Sequence, residues 1–266
     1  MSAAQPHKVV SLAEFKAACQ SCSLFQLCLP MGIADNELAL LDKIIRRRRP
    51  LKRGEHLYQQ GHSFQSLYAV RSGSIKTYAT TEDGREQVTG FHLPGELLGL
   101  DAICTERHGC AAVALETCTV CELPYDQVDR LNEFLPGLQQ QLVRMMSREI
   151  LGGQALLALL GKRSAEERLA AYLLNLSGRF QRRGLSGTEF IMSMSRTDIG
   201  NYMGLAVETV SRMFTRFQEM GILSVRRKHV VVHQPERLRA IACQSGGCTV
   251  LGRAGAALPQ TETKNG

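Results

Sequence analysis

The sequence predicts an α+β chain in three structured parts: an N-terminal antiparallel β-roll of jelly-roll-like form, a long dimerisation helix, and a C-terminal winged helix-turn-helix. Three observations carry this. Between Leu51 and Leu123, short apolar runs alternate with glycines, as in a roll or barrel of short strands. From Pro136 to Leu160, apolar residues recur every three or four positions, the spacing of one helix face. From Ser195 to His233, two short helical patterns flank Gly204 and two strand-like runs follow. The divisions are residues 1–30, a cysteine-rich segment; 31–134, the roll; 135–161, the long helix; 162–240, the winged unit; and 241–266, a tail with the small-residue composition of a disordered segment.

A chain of 266 residues, 44% of them hydrophobic, has material for two compact domains. No apolar run is long enough for a signal peptide or a bilayer-spanning helix, so the expected location is the cytoplasm, with no membrane partner. Structural disulfides are rare there, which leaves metal ligation, redox sensing or burial for the nine cysteines. The net charge of +7 is concentrated in one place. Residues 161–240 hold fourteen Lys and Arg against seven Asp and Glu, while charges elsewhere cancel. A basic C-terminal domain beside a neutral remainder fits an anionic partner such as DNA.

In chain order, a short helix is expected around Leu12–Cys19 and a second over Asp35–Arg48. The second places Leu38, Leu41, Ile44 and Ile45 on one face and ends in Arg46-Arg47-Arg48-Arg49, where cations complement the helix dipole. In the roll, Leu67–Val70, Ser74–Tyr78 and Val113–Leu123 read as strands, and Asp83-Gly84 as a hairpin turn. Pro136 suits a first helical turn, and Leu142, Met146, Ile150, Gly153, Leu157 and Leu160 then form a narrow stripe of coiled-coil type. Such a helix spans about 36 Å and suits a two-fold dimer seam. Gly152-Gly153 either permits close approach or weakens that seam. Ser164-Ala165-Glu166-Glu167 has capping-box form and starts a helix through Leu176.

Ser195-Arg196-Thr197-Asp198 offers a second capping box for a helix through Met203. Gly204 turns the chain, and Val207 begins the next helix. There Val207, Val210, Phe214 and Phe217 make a buried stripe, which leaves Glu208, Ser211, Arg212 and Arg216 outward. Arg212 can give two parallel hydrogen bonds to guanine, Glu208 can accept from cytosine, and Ser211 is short enough for base or phosphate. Thr209 completes the candidate DNA-contacting set. Ile222–Val225 and His229–His233 make a two-stranded wing with Arg226-Arg227-Lys228 at its tip, placed for phosphate.

Cys19, Cys22 and Cys28 lie within ten residues, and clustered thiolates select iron–sulfur centres, zinc or copper(I). A fourth ligand could come from Cys104, Cys110, Cys118, Cys121, Cys243 or Cys248. Strand alternation puts Cys118 and Cys121 on opposite faces, so at most one of them serves a given site; spacing does not say which.

These features together resemble the CRP/FNR superfamily, specifically its oxygen-sensing FNR branch. The resemblance runs from Cys19 to about residue 240. It rests on the cysteine cluster, Gly95-Glu96-Leu97-Leu98-Gly99, Ala114–Thr117, Cys121-Glu122-Leu123-Pro124, Ala165–Ala170, Asp198–Tyr202 and the helix opening at Val207. It implies one [4Fe–4S] cluster per subunit held by Cys19, Cys22, Cys28 and Cys121. It also implies that Glu208, Ser211 and Arg212 read palindromic TTGAT-like operators, and that a homodimer forms under low oxygen. Transcription of anaerobic-metabolism genes would be activated or repressed, with RNA polymerase as a partner, and Glu82–Arg85 resembles one polymerase-contacting loop. Cyclic-nucleotide-binding relatives carry Arg-Ser or Arg-Thr where this chain has Gly109-Cys110, with Arg107 shifted, so no cyclic nucleotide is expected. An iron–sulfur oxidoreductase would need a convergent set of His and carboxylate groups, which the sequence lacks; no enzyme is expected. A regulator answering haem, nitric oxide or a small acid is the remaining alternative.

Overall fold

The computed structural model describes Cys19, residues 22–31, Ile33, residues 35–132 and residues 135–244. The helix expected around Leu12–Cys19 falls mostly outside the described residues, as do Cys248 and the tail beyond residue 244.

Helix α1 (Asp35–Ile44) leads into eight strands: β1 (Arg46–Arg47), β2 (His56–Tyr58), β3 (Ser66–Ser72), β4 (Ile75–Thr80), β5 (Glu86–His92), β6 (Leu97–Leu98), β7 (Ala111–Ala114) and β8 (Thr119–Pro124). They form two four-stranded antiparallel sheets, ordered β1-β8-β3-β6 and β2-β7-β4-β5. Strand alternation sorts the side chains. Tyr68 and Val70 of β3, with Val120 of β8, face the apolar filling between the sheets; Leu67, Ala69 and Leu123 face outward into a second core. The turn expected at Asp83-Gly84 joins β4 to β5.

Two expectations need correction. Val113–Leu123 is not one strand: it breaks after Ala114, and β7 and β8 lie in different sheets. The break lets Cys118 turn inward, fully buried, with its thiol donating to the Ser74 and Glu116 carbonyls. The arginine run, likewise, does not end a helix. Helix α1 stops at Ile44, and Arg46 and Arg47 pair with Glu122 and Cys121 as an edge strand. Arg48 reaches Glu122 at 2.7 Å and Arg49 binds Glu55. An edge strand studded with cations resists unwanted pairing.

Helix α2 (Tyr125–Asn132) crosses to α3 (Pro136–Lys162), a 27-residue helix of about 40 Å with proline in its first turn. Leu138, Leu142 and Met145 of α3 pack into the outer core of the roll beside Leu29, Leu38, Leu41 and Leu123. The winged unit comprises α4 (Ala165–Gln181), β9 (Glu189–Ile191), α5 (Arg196–Met203), α6 (Val207–Glu219), β10 (Leu223–Arg226), β11 (His229–Val232) and α7 (Pro235–Ala242). Both expected capping boxes form, at Ser164 with Glu167 and at Ser195 with Asp198. The wing gains a third strand, β9, against β11. Neither β9 nor α2 and α7 is evident in the sequence pattern.

The winged unit docks on its own roll. Val88, Phe91 and Leu93 join the core of the winged unit. Around them, Asn201 exchanges hydrogen bonds with Glu86, Gln87 and Val88. Lys76 meets Asp198 at 2.7 Å, and Glu96 binds Arg179 at 2.5 Å and Arg183 at 2.6 Å.

Candidate metal centre and nucleic-acid interface

Cys19 and residues 22–31 are linked by successive backbone bonds. Cys22 N–H donates to the Cys19 carbonyl at 3.1 Å, Phe25 N–H to Cys22 at 3.0 Å, Cys28 N–H to Leu24 at 3.0 Å, and Met31 N–H to Cys28 at 3.1 Å. These turns bring Cys19, Cys22 and Cys28 to the lining of one small cavity. Cys121 of β8 lines the same cavity, with Leu24, Leu41 and Arg71 among its walls. The coil is seated closely on the roll. A Cβ at Gly95, whose φ is +90°, would lie 2.8 Å from Leu27 Cβ, so both the backbone conformation and the contact require glycine there.

Cys118, just before β8, fills the roll interior, whereas Cys121 on β8 packs against the outer core. Cys104 is exposed, and Cys110 sits beside Asp101, 3.5 Å from its carboxylate; neither lines this cavity. Burial pushes the Cys28 thiol up to about 12. Cys19 is raised by burial and then by Asp42, whose carboxylate accepts the Cys19 N–H at 2.9 and 3.2 Å. Cys121 is raised by burial, against the opposing charges of Arg71 and Arg47. Thiols held neutral this way must lose protons to bind a metal.

Among the described residues, no three His, Cys, Asp or Glu side chains are close enough together to grip one bare ion. Four sulfur donors at one cavity are the donor chemistry of a soft-metal centre, an iron–sulfur cluster among them.

On the winged unit, Gly204 caps α5 in the left-handed conformation, and a Cβ at Gly200 would meet the Leu205 carbonyl at 2.6 Å. That close turn sets α6 against α5. Val210, Phe214 and Phe217 are buried, whereas Glu208, Ser211, Arg212 and Arg216 are exposed and Thr209 is half-buried. Among the described residues, Arg212 reaches Thr209 at 3.5 Å, and Ser211 donates to the Val207 carbonyl at 2.9 Å. Arg216 instead turns back to Glu166 of α4, at 2.5 Å. Arg227, with φ +57°, makes the wing turn.

Along α3 the stripe read from sequence divides between two faces. Leu142 is buried in the subunit's own core, and Met146 and Leu160 are half-buried. Ile150 and Leu157 stand 62% and 72% exposed, in line with Val143 at 59%. These three are spaced by seven, an open heptad seam. Arg168 fastens the end of this helix to the winged unit by donating to the carbonyls of Leu160, Arg163 and Met203.

Comparison with known proteins gives two family matches: the cyclic nucleotide-binding domain over residues 48–133 and the Crp-like helix-turn-helix domain over residues 167–241. The chain is 51% identical over 230 residues to the transcriptional activator protein Anr of Pseudomonas protegens, covering 86% of this chain and 94% of that one. It is 51% identical over 224 residues to the fumarate and nitrate reduction regulatory protein of Yersinia pestis, covering 84% and 90%. This chain belongs to the FNR/Anr group of the CRP/FNR family. It is a transcription regulator with a helix-turn-helix DNA-binding domain, not an enzyme. Among solved structures, FixK2 of Bradyrhizobium japonicum aligns with a TM-score of 0.68 at 28% identity, over 74% of this chain and 97% of that one. The c-di-GMP-responsive regulator CLP of Xanthomonas campestris, at 0.61 and 21% identity, shares the fold. Among the described residues no helix is long and apolar enough to cross a membrane.

For this FNR/Anr-group regulator, the structure brings into view residues that sequence patterns did not single out. Gln141 is buried on α3, and its Nε2 donates to the Cys28 carbonyl at 3.4 Å. Arg71 lines the cysteine cavity, and Asp42 accepts the Cys19 N–H. A polar residue on the apolar face of α3 was the available signal for Gln141; Asp42 and Arg71 carried none.

Proposed function

We propose that this regulator binds one [4Fe–4S] cluster per subunit through Cys19, Cys22, Cys28 and Cys121, and that the occupied site favours a DNA-binding homodimer. One observation carries the reading. Four thiols from two distant stretches line a single cavity, and that cavity opens from the same apolar core that holds the N-terminal half of α3. When bound, the cluster supplies an oxygen-labile centre that only these thiolates retain.

The remaining steps belong to the chain. With all four thiolates engaged, Cys19 and the coil over residues 22–31 are pinned to β8, Leu29 shares a core with Leu138 and Leu142 of α3, and the Cys28 carbonyl accepts from Gln141. A steadied α3 presents Val143, Ile150 and Leu157 to a second copy. Two subunits then place their α6 helices about 34 Å apart, one DNA turn, so that Glu208, Ser211 and Arg212 meet base edges in successive half-sites of a palindromic TTGAT-like operator. Released thiolates free the coil, α3 loses that support, and the population shifts toward monomer. The hairpin at Glu82–Arg85 stays exposed for RNA polymerase.

Cyclic nucleotide is not the ligand in this reading, despite the family to which residues 48–133 match. Where a cyclic phosphate would need a cation and a hydroxyl, Asp101 accepts the Gly109 N–H at 3.0 Å and sets a carboxylate beside Cys110. Arg107 is committed to the Gly61 carbonyl. Glu96 is held by Arg179 and Arg183.

The test is iron and sulfide content of the anaerobically reconstituted full chain. Wild type and Cys118→Ser should each carry about four irons per chain and Cys121→Ser should not. Full loading of Cys121→Ser would remove the ligand assignment.

A further inference from the structure

Charged groups of both signs stand near the cysteines. Arg71 lines the cavity with Cys121, and Arg47 pairs with Cys121 across the strand edge. Beside Cys19 stands Asp42 of α1, half-buried, with both carboxylate oxygens on the backbone N–H of Cys19 at 2.9 and 3.2 Å. When Cys19 sheds its proton to solvent and binds a metal as thiolate, the carboxylate that holds its N–H faces a second negative charge on the same residue. The backbone bonds survive, because they need only an acceptor. One side chain therefore does two opposed things: it fixes the position of a ligand and repels the charge that the ligand must carry.

We propose that Asp42 is a positioning residue for Cys19 that also sets the lability of the centre, by keeping a negative charge against the first thiolate. The inference rests on the cluster reading given above. It separates tether from charge, and two substitutions separate them experimentally. Asp42→Asn keeps an oxygen acceptor for the Cys19 N–H and removes the charge. Asp42→Ala removes both.

The full chain and both variants are reconstituted anaerobically with iron and sulfide. Iron content is counted, and release to a ferrous chelator without oxygen is followed by the decay of visible absorbance. The asparagine variant should fill as wild type does and release iron about tenfold more slowly. The alanine variant should fill less completely, because the Cys19 backbone has lost its acceptor. Release from Asp42→Asn within about twofold of wild type, or faster, overturns the charge role. Filling of Asp42→Ala equal to wild type overturns the tether. A wild-type chain that takes up no iron defeats the cluster reading itself, an outcome distinct from either.

Discussion

Arg212 and Cys121 show how far a single side chain can be argued from its surroundings. Arg212 is exposed on α6, 3.5 Å from Thr209, a placement that suits the proposed paired bonds to guanine. Arg212→Ala should weaken operator binding by about 1–3 kcal/mol and relax preference at one base pair. Competition binding with operators altered at each position checks this, and unchanged selectivity would mean that α6 sits differently in the groove. Arg216, equally outward in the sequence pattern, is drawn to Glu166, a partner fifty residues away that periodicity does not reveal. The opposed facing of Cys118 and Cys121 was legible from the two-residue repeat of a strand. Asp42 was not legible: an acid on an amphipathic helix looks like any solvated acid until Cys19 is folded over it.

Among the elements, α3 carries the clearest lesson. Its existence, start and approximate end follow from Pro136 and the apolar spacing, but the direction of its faces does not. Residues 138, 142 and 145 and residues 143, 150 and 157 both satisfy helical repeats, and a single stripe drawn through Leu142, Met146, Ile150 and Leu157 mixes them. Only the roll core decides which set is already covered. The two faces respond differently to substitution. Leu142→Ala should cost about 2–5 kcal/mol of folding stability in a chemical denaturation curve, because it empties packed volume. Ile150→Glu with Leu157→Glu should leave the metal-free monomer's stability within about 0.5 kcal/mol per site. In sedimentation of the reconstituted protein, however, that double substitution should abolish dimer. A stable dimer bearing both glutamates would place the seam elsewhere.

At the scale of the whole molecule, the winged unit is held to its own roll through Glu96, Arg179 and Arg183. Burial opposes ionisation of Glu96, but the two guanidinium groups outweigh it and pull the carboxyl from its ordinary 4.5 to about 2. A folded-state value below the unfolded one stabilises at pH above about 4.5, and that contribution is lost as pH falls from about 4.5 through about 2. Thermal melts of the metal-free chain across this window should fall more steeply for wild type than for Glu96→Gln; equal slopes would contradict the role of Glu96. None of this docking was readable in the sequence, since each half has its own complete pattern and the contacts join residues about 80 to 120 positions apart. Yet the same docking leaves α6 and the open α3 seam on accessible faces, so roll, long helix and winged unit can act as one body. Sedimentation of a single anaerobic, iron-loaded sample before and after exposure to air, read together with its iron content and operator binding, tests this most directly. A loaded, operator-binding dimer should become an iron-depleted monomer that no longer binds. A chain that loses its iron and still sediments as an operator-binding dimer would contradict the coupling of the cysteine cavity to α3.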